Sequence, residues 1–399
     1  MAGQSLTQPL LLVANPGSSS RKYGLYEHDL TLRAELHVEV TDGHIACSID
    51  DGKQRKDVPV AFTAVNEAAK YVEQLFRDHA AIKPGEHIGS VGLRIVAPSA
   101  FFMHDHIITP EVIAKLESLL DLAPLHITAT LGELKIITEQ FSDAVIVGVS
   151  DSAFHATKPS YAWNYGINIQ DADRLDIKRF GYHGLSVAAS IDVLWDRGKL
   201  PPKVIVCHLG SGSSVTAVYH GRSIDNSMGY TPLEGVIMAT RSGTIDYGAV
   251  RALKMGLNMS DEQLETYLHT KGGLVGLGGS NDVRELLERE ANGDHYANLA
   301  LATMVHSIHK AIGQMLVTLN GADLLVFTGT IGERSATLRK RIVAHLEFTD
   351  FMLDGDENAA CTAPENLTSI AQATKSRPVI VVPTNEALEI AKHVQRVVQ

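Results

Sequence analysis

Residues 204–246 read VIVCHLGSGSSVTAVYHGRSIDNSMGYTPLEGVIMATRSGTID. The apolar run Val204–Cys207 gives way to His208-Leu209-Gly210-Ser211-Gly212-Ser213-Ser214. A second β-branched run covers Val215–Tyr219, and His220-Gly221 turns into Arg222–Asp225. This pattern predicts strand, Gly/Ser hairpin, strand, turn and strand. A hairpin so rich in Gly and Ser lets the backbone come close to a ligand, and its N–H groups and hydroxyls suit phosphate oxygens. It is not a P-loop, because no Gly-Lys-Ser/Thr opens a helix here. Taken alone, an ordinary glycine hairpin explains it better.

A second copy changes that balance. Residues 11–26 read LLVANPGSSSRKYGLY and residues 204–219 read VIVCHLGSGSSVTAVY. At one offset of 193 residues (13 to 206), Val13 falls on Val206, Asn15 on His208 and Gly17 on Gly210. Ser18, Ser20 and Tyr26 fall on Ser211, Ser213 and Tyr219. An offset close to half the chain implies a duplicated domain and not a short-period solenoid. Two related lobes, each offering a polar hairpin, make a natural cleft for a phosphorylated ligand.

The size and composition fit. A chain of 399 residues can bury two cores. Its 45% apolar content and near-zero mean hydropathy indicate a soluble globular protein. A net charge of −11 without a basic run argues against nucleic acid. Cys47, Cys207 and Cys361 share no metal or redox spacing, and Cys207 reads as a buried strand residue, which fits a reducing cytoplasmic compartment. The opening MAGQSLTQPL lacks the basic and apolar regions of a signal peptide. No apolar run reaches the ~20 residues of a membrane span. The close pairs His104/His106 and His306/His309 lack a third ligand at metal spacing and read as surface histidines.

The periodicities predict two similar halves. In the first, strand Leu10–Ala14 leads into a meander over Lys22–Glu27, Leu32–Val40 and His44–Ile49. A helix over Ala61–His79, strand Ile88–Val96, helices Glu111–Leu120 and 124 to about 141, and strand Ala144–Val149 complete it. The second half begins with the meander 204–225. Helices follow between about 249 and 291 and over His295–Leu319, then strand Leu324–Phe327, helix Ser335–Leu346, strand Val379–Val382 and a last helix from Asn385. Residues 350–376, with Asp354-Gly355-Asp356-Glu357, are expected to be an exposed excursion. The expected lobes are 1–150, with the C-terminal helix of about 385–399 packing back on it, and 151–384. Mixed sheets covered by helices are expected.

Strand ends are where α/β proteins place functional groups. Asn15, Arg94, Asp151, His208 and the turn Thr328–Glu333 sit at such ends. Arg94 is equally readable as a packed surface arginine or as a buried guanidinium facing a ligand. Asp151 could cap a following helix. His183, inside Phe180-Gly181-Tyr182-His183-Gly184, is presented by a glycine-flanked turn, and Arg241 in Ala239–Gly243 has the same ambiguity as Arg94. Glu386 opens a helix whose dipole favours a carboxylate. Two arginines, a histidine, two acids and two phosphate-type hairpins together suggest phosphoryl transfer.

At this point the chain resembles the acetate kinase family of carboxylate kinases, over nearly its whole length. The motifs are NPGSSSRKYGLY at 15–26, GLRIV at 92–96, LAPLH at 122–126, SDSAFHATKP at 150–159, RFGYHG at 179–184 and HLGSGSS at 208–214. DNSMGYTPLEGVIMATRSGTID at 225–246, FTGTIGE at 327–333 and TNEALEIA at 384–391 complete the set. The resemblance implies an α/β, duplicated two-lobe fold with a central cleft, of the acetate and sugar kinase, Hsp70 and actin type (ribonuclease H-like).

The resemblance also assigns roles. Arg94 and Arg241 would hold the carboxylate and the transferring phosphoryl group, His183 would bond phosphoryl oxygens, and Asp151 is the family's essential aspartate. Asn15 and Glu386 would form a site for Mg²⁺ or Mn²⁺, with Lys22 near the nucleotide phosphates. ATP or ADP would bind His208, Leu209, Gly210, Ser211 and Gly212, then Asp282, Val283 and Arg284, and then Thr330, Ile331, Gly332, Glu333 and Arg334. Val96, Leu125, Tyr182 and Pro232 would line the acyl pocket. A cytoplasmic homodimer acting on a small carboxylate and a nucleotide, away from nucleic acid and membrane, is implied.

The chain departs from the family pattern beside these residues. GHRVVHGG reads GLRIVAPS at 92–99, LAPLHNPAN reads LAPLHITAT, and HGTSH reads HGLSV. HLGNG reads HLGSG, RSGDIDP reads RSGTIDY, GGIGEN reads GTIGER and TDEE reads TNEA. The charged set is kept while its surroundings differ. Three readings stay open: an acetate kinase, a kinase of propionate or a larger acid, and a catalytically degenerate nucleotide binder.

Overall fold

The computed structural model describes residues 8–17, 20–41 and 44–399. Ser18, paired above with Ser211, and most of the opening stretch lie outside these. Two units are present: residues up to Ala153 together with Asn385–Gln399, and Phe154–Thr384. Asp151 therefore lies in the first unit.

In the first unit the chain forms β1 (Leu10–Pro16), β2 (Ser20–Tyr26), β3 (Leu32–Thr41), β4 (His44–Asp50), β5 (Arg55–Asp57), β6 (Ile88–Ile95), β7 (His106–Ile107) and β8 (Val145–Ser150). Their order in the sheet is β5-β4-β3-β2-β1-β6-β8-β7. The meander is antiparallel, whereas β1, β6 and β8 are parallel neighbours. Parallel strands covered on both faces need continuous apolar runs, and Leu10–Ala14 is buried throughout. The C-terminal helix Glu386–Val398 packs on this sheet through Ile390, Ala391 and Val394. Asn385 caps it by accepting the Leu388 N–H at 2.9 Å.

In the second unit, β9 (Lys203–Leu209), β10 (Ser213–Tyr219), β11 (Arg222–Asn226), β12 (Leu324–Thr328), β13 (Thr368–Ser369) and β14 (Val379–Val381) form a sheet ordered β11-β10-β9-β12-β14-β13. Here β9, β12 and β14 are the parallel set. The plan repeats: β3-β2-β1-β6-β8 answers β11-β10-β9-β12-β14. The offset read from the sequence also maps the strand bounds onto each other, 10 to 203, 16 to 209, 20 to 213 and 26 to 219. The long helix His295–Leu319 covers this sheet, burying Ala300, Met304, Ile308, Ile312 and Met315 at helical spacing. Asp294 caps its start, and Asn320 in the left-handed region ends it. Truncating one of these large core side chains to Ala would cost about 2–5 kcal/mol.

Three expectations need correction. The helix over 61–79 is a 3₁₀ segment at Val65–Tyr71 followed by an α-helix only over Val72–Asp78. Ala64 at its start offers no side-chain cap. The stretch 350–376 is exposed at Gly355–Glu357, as expected, but it is anchored to the unit and is not an excursion. Phe351 and Ile370 are fully buried, Cys361 nearly so, and β13 extends the sheet edge. The buried Arg339 guanidinium holds this stretch by donating to the Asn358 side chain and to the Asn358 and Cys361 carbonyls. Finally, Gly329–Arg334, read as a turn, is a short helix that starts directly at the end of β12.

Candidate active site

The parallel strands of the first unit all end at one edge of the sheet. Asn15 lies near the end of β1, Arg94 near the end of β6, and Asp151 just beyond β8. The register pairs Ala14 with Leu93 and Arg94 with Val149, so the three ends are adjacent. Arg94 Nη2 donates to Asp151 Oδ2 at 3.0 Å, and the Asp151 side chain is only 1% exposed. Burial disfavours the Arg94 charge, but the Asp151 and Glu386 carboxylates outweigh it and raise the pKa further. Arg94 Nε is buried without a partner among the described residues. A guanidinium kept charged with a donor to spare is suited to an incoming anion.

Glu386, the first residue of the C-terminal helix, accepts a hydrogen bond from Asn15 Nδ2 at 3.0 Å. Each residue keeps one side-chain oxygen outside that hydrogen bond, Glu386 Oε1 and Asn15 Oδ1. An all-oxygen pair of this kind fits Mg²⁺, which keeps most of its waters and leans on nucleotide phosphates. Among the described residues no group of three His, Cys, Asp or Glu gathers at metal spacing. Lys22 is exposed on β2, Val96 is half-buried just past β6, and Leu125 is 42% exposed near the start of the helix Pro124–Gln140.

In the second unit, His183 has φ of 59° and ψ of 25° and stands at the start of the helix Gly184–Asp196. The left-handed region is uncommon for a residue with a side chain. His183 Nδ1 lies 3.0 Å from Ser214 Oγ, and its ring lies 4.2 Å from the His208 ring. His208 Nδ1 in turn lies 2.7 Å from Ser186 Oγ. The hairpin meets this pair at Gly212. A Cβ there would come within 2.9 Å of His183 Nε2 and 3.1 Å of Arg241 Nη1. The missing side chain is what brings the Gly212 backbone between the imidazole and the guanidinium.

The strand ends of this unit join the hairpin to a second segment. Thr328 pairs with His208 in the β12–β9 register. Thr384 Oγ1 lies 2.5 Å from Thr328 Oγ1 and accepts the Gly329 N–H at 3.1 Å. Glu333 Oε1 accepts the N–H groups of Gly329 and Thr384 at 3.1 and 2.9 Å. Two of the three expected nucleotide segments, 208–212 and 330–334, are therefore adjacent. In the third, Asp282 caps the helix Val283–Ala291 and pairs with Arg284 at 2.6 Å. Tyr182 is buried, and its hydroxyl donates to the Tyr230 carbonyl at 2.6 Å. Pro232 is buried, with its carbonyl 3.5 Å from Arg241 Nη1. Ser214 belongs to the hairpin whose hydroxyls suit phosphate, but its pairing with His183, like the roles of Ser186 and Thr384, has no mark in the sequence. Their signal is three-dimensional, since each is defined by the imidazole or threonine it meets.

A family model described as the acetokinase family matches residues 10–392. An acetate kinase of Bacillus thuringiensis subsp. konkukian is 34% identical over 396 residues, covering 97% of this chain and 98% of that protein. Among solved structures, a propionate kinase from Francisella tularensis superposes with a TM-score of 0.87 at 31% identity, over 98% of this chain and 100% of its own. Acetate kinase from Porphyromonas gingivalis gives 0.84 at 30% identity, with coverage of 98% and 100%.

Proposed function

The chain belongs to the acetokinase family, and from that premise we propose that it transfers the γ-phosphoryl group of ATP to acetate, giving acetyl phosphate and ADP reversibly. The observation that carries this reading is the convergence of His183 Nε2 and Arg241 Nη1 on the Gly212 backbone. Acetate is ionised at neutral pH, so its oxygen needs no general base to act as nucleophile. The difficulty is bringing two anions together and stabilising charge on the group in transit.

Arg94, kept charged by Asp151, binds the carboxylate. Arg241 and His183 donate to the phosphoryl oxygens, and Asp151 orients Arg94 and does not accept a proton. The hairpin 208–212 and the helix start at 329–334 receive the nucleotide, together with Lys22 and the segment Asp282–Arg284. Val96, Leu125, Tyr182 and Pro232 receive the methyl group. Asn15 and Glu386 hold Mg²⁺ or Mn²⁺, which neutralises the nucleotide phosphates when bound.

The three buried, unpaired cysteines suit the reducing cytoplasm. Among the described residues no helix is long and apolar enough to cross a membrane. A homodimer remains part of the proposal, and Tyr161 and Val317, each 82% exposed beside a groove of about 650 Å³ on the second unit, are apolar surface available to a second copy.

Hydroxamate trapping of acyl phosphate with acetate, propionate and butyrate, in the presence of ATP and Mg²⁺, tests the reaction. Turnover highest with acetate is expected. Folded protein inactive with all three acids would overturn it. Propionate is the second acid to weigh, because one methylene in an apolar pocket discriminates by only about 1–3 kcal/mol.

A further inference from the structure

The segment carrying Pro232 is fixed by a brace of side chains, of which only Tyr182 has a part in the reaction described above. The Tyr165 hydroxyl accepts the Tyr230 N–H at 2.8 Å and donates to Glu234 Oε2 at 2.5 Å. Glu234 Oε1 accepts from Arg179 Nη1 at 2.5 Å. The Arg179 guanidinium lies over the Tyr165 ring, 5.2 Å from its centre. The Tyr230 carbonyl is held by Tyr182 from the other side. Both polar groups of the Tyr230 backbone are thus tied down two residues before Pro232. Gly229 closes the brace from below: a Cβ there would lie 1.7 Å from Glu234 Oε2 and 2.2 Å from Tyr165 Oη. Burial, and then the Glu234 carboxylate, push the Tyr165 pKa up, so the hydroxyl stays protonated and remains a donor. The Arg179 backbone is itself anchored, its N–H donating to the Trp163 carbonyl at 2.7 Å and its carbonyl accepting from Lys158 Nζ.

We propose that Tyr165 is a positioning residue for acid size: through Glu234 and the Tyr230 backbone it holds Pro232 in place, and so limits the length of carboxylate that the enzyme accepts. The proposal rests on the carboxylate-kinase reading. Pro232 cannot withdraw to admit a longer acid without breaking the two hydrogen bonds of the Tyr165 hydroxyl. Because the Pro232 carbonyl also faces Arg241 Nη1, a displaced loop would disturb the phosphoryl end to a smaller degree.

The test uses the full chain with Tyr165→Phe, which removes the hydroxyl and keeps the ring beneath Arg179. Steady-state kcat and KM are measured for acetate, propionate, butyrate and ATP, alongside the thermal midpoint. The acetate-to-propionate ratio of kcat/KM should fall by about 3–10-fold, mainly through the acid KM, while the ATP KM stays unchanged. A purely structural role would lower the midpoint and leave that ratio alone, which overturns the proposal. Should Tyr165→Phe fail to fold, Glu234→Gln decides: it keeps an acceptor for Tyr165 but drops the ion pair with Arg179. A smaller shift of the ratio in the same direction supports the brace, and an unchanged ratio overturns it. A parent protein inactive on every acid would instead overturn the carboxylate-kinase reading, and the role of the brace with it.

Discussion

Asn15 and His208 occupy the same place in two copies of one strand plan, and their surroundings are opposite in kind. In the first unit the three parallel strands end in Asn15, Arg94 and Asp151, with Glu386 alongside, and charge holds the group together. In the second they end in His208, Thr328 and Thr384, and hydroxyls, imidazoles and backbone amides do most of the holding, with the Glu333 carboxylate as the one charged acceptor named there. The apolar strands set the scaffold, and the residues at or just past each strand end set the chemistry. The cost of each arrangement differs too. Removing one partner of a buried ion pair costs about 3–5 kcal/mol, whereas a neutral hydrogen bond contributes only about 0.5–1.5 kcal/mol. Stability and activity should therefore fall together in the first unit and separately in the second.

The sharpest break between the two comes from Arg241→Leu. Turnover should fall by about 10³-fold or more, as for other arginines on a transferring phosphoryl group, with the circular dichroism melt unchanged. Asp151→Ala should behave differently, losing turnover and also about 3–5 kcal/mol in urea denaturation, because Arg94 is left buried without its carboxylate. If Asp151→Ala melts like the parent protein, the contrast between the units fails.

Two histidines give the units opposite pH responses. Burial would lower the His393 pKa, but hydrogen bonds to Asp105 and Glu389 raise it to about 9. Its contribution is complete below the unfolded pKa of about 6.5 and is lost as pH rises through about 9. Burial, and then the Arg241 charge, lower His269 to about 4. Its contribution is complete above about pH 6.5 and is lost as pH falls towards 4. Each is expected to be worth about 3 kcal/mol. Amide exchange resolved by unit should show the first unit loosening on the alkaline side and the second on the acid side, and His393→Gln should flatten the alkaline limb alone. The smallest effect is expected from Gly212→Ala. Its Cβ would push His183 and Arg241 by a few tenths of an ångström, so about a 10-fold loss of kcat is expected, below the ~10²-fold that a 1 Å misplacement can bring.

Much of this plan is legible along the chain because it is local or repeated. The offset between Val13 and Val206 carried over to the strand bounds, and the apolar spacing from His295 to Leu319 gave that helix in full. Strand ends pointed to Arg94 and Asp151 for the same reason. What could not be read depends on partners distant in sequence. His393 bonds Asp105 at 2.6 Å across 288 residues, and Asp105 Oδ1 accepts the Ser150 N–H immediately before Asp151. The polar run Asp354–Glu357 rightly signals an exposed helix start, but not the buried Asn358 directly after it, which Arg339 holds. Neither arrangement leaves a periodic trace in the sequence.

The central claim is that a carboxylate oxygen becomes bonded to the γ-phosphorus of ATP as the bond from that phosphorus to ADP breaks. It is tested by ³¹P NMR of the reaction of ATP and Mg²⁺ with acetate labelled with ¹⁸O at both oxygens. The account predicts ADP and acetyl phosphate bearing one acetate-derived ¹⁸O on phosphorus. Folded protein that forms no acetyl phosphate, or acetyl phosphate without that label on phosphorus, would contradict it.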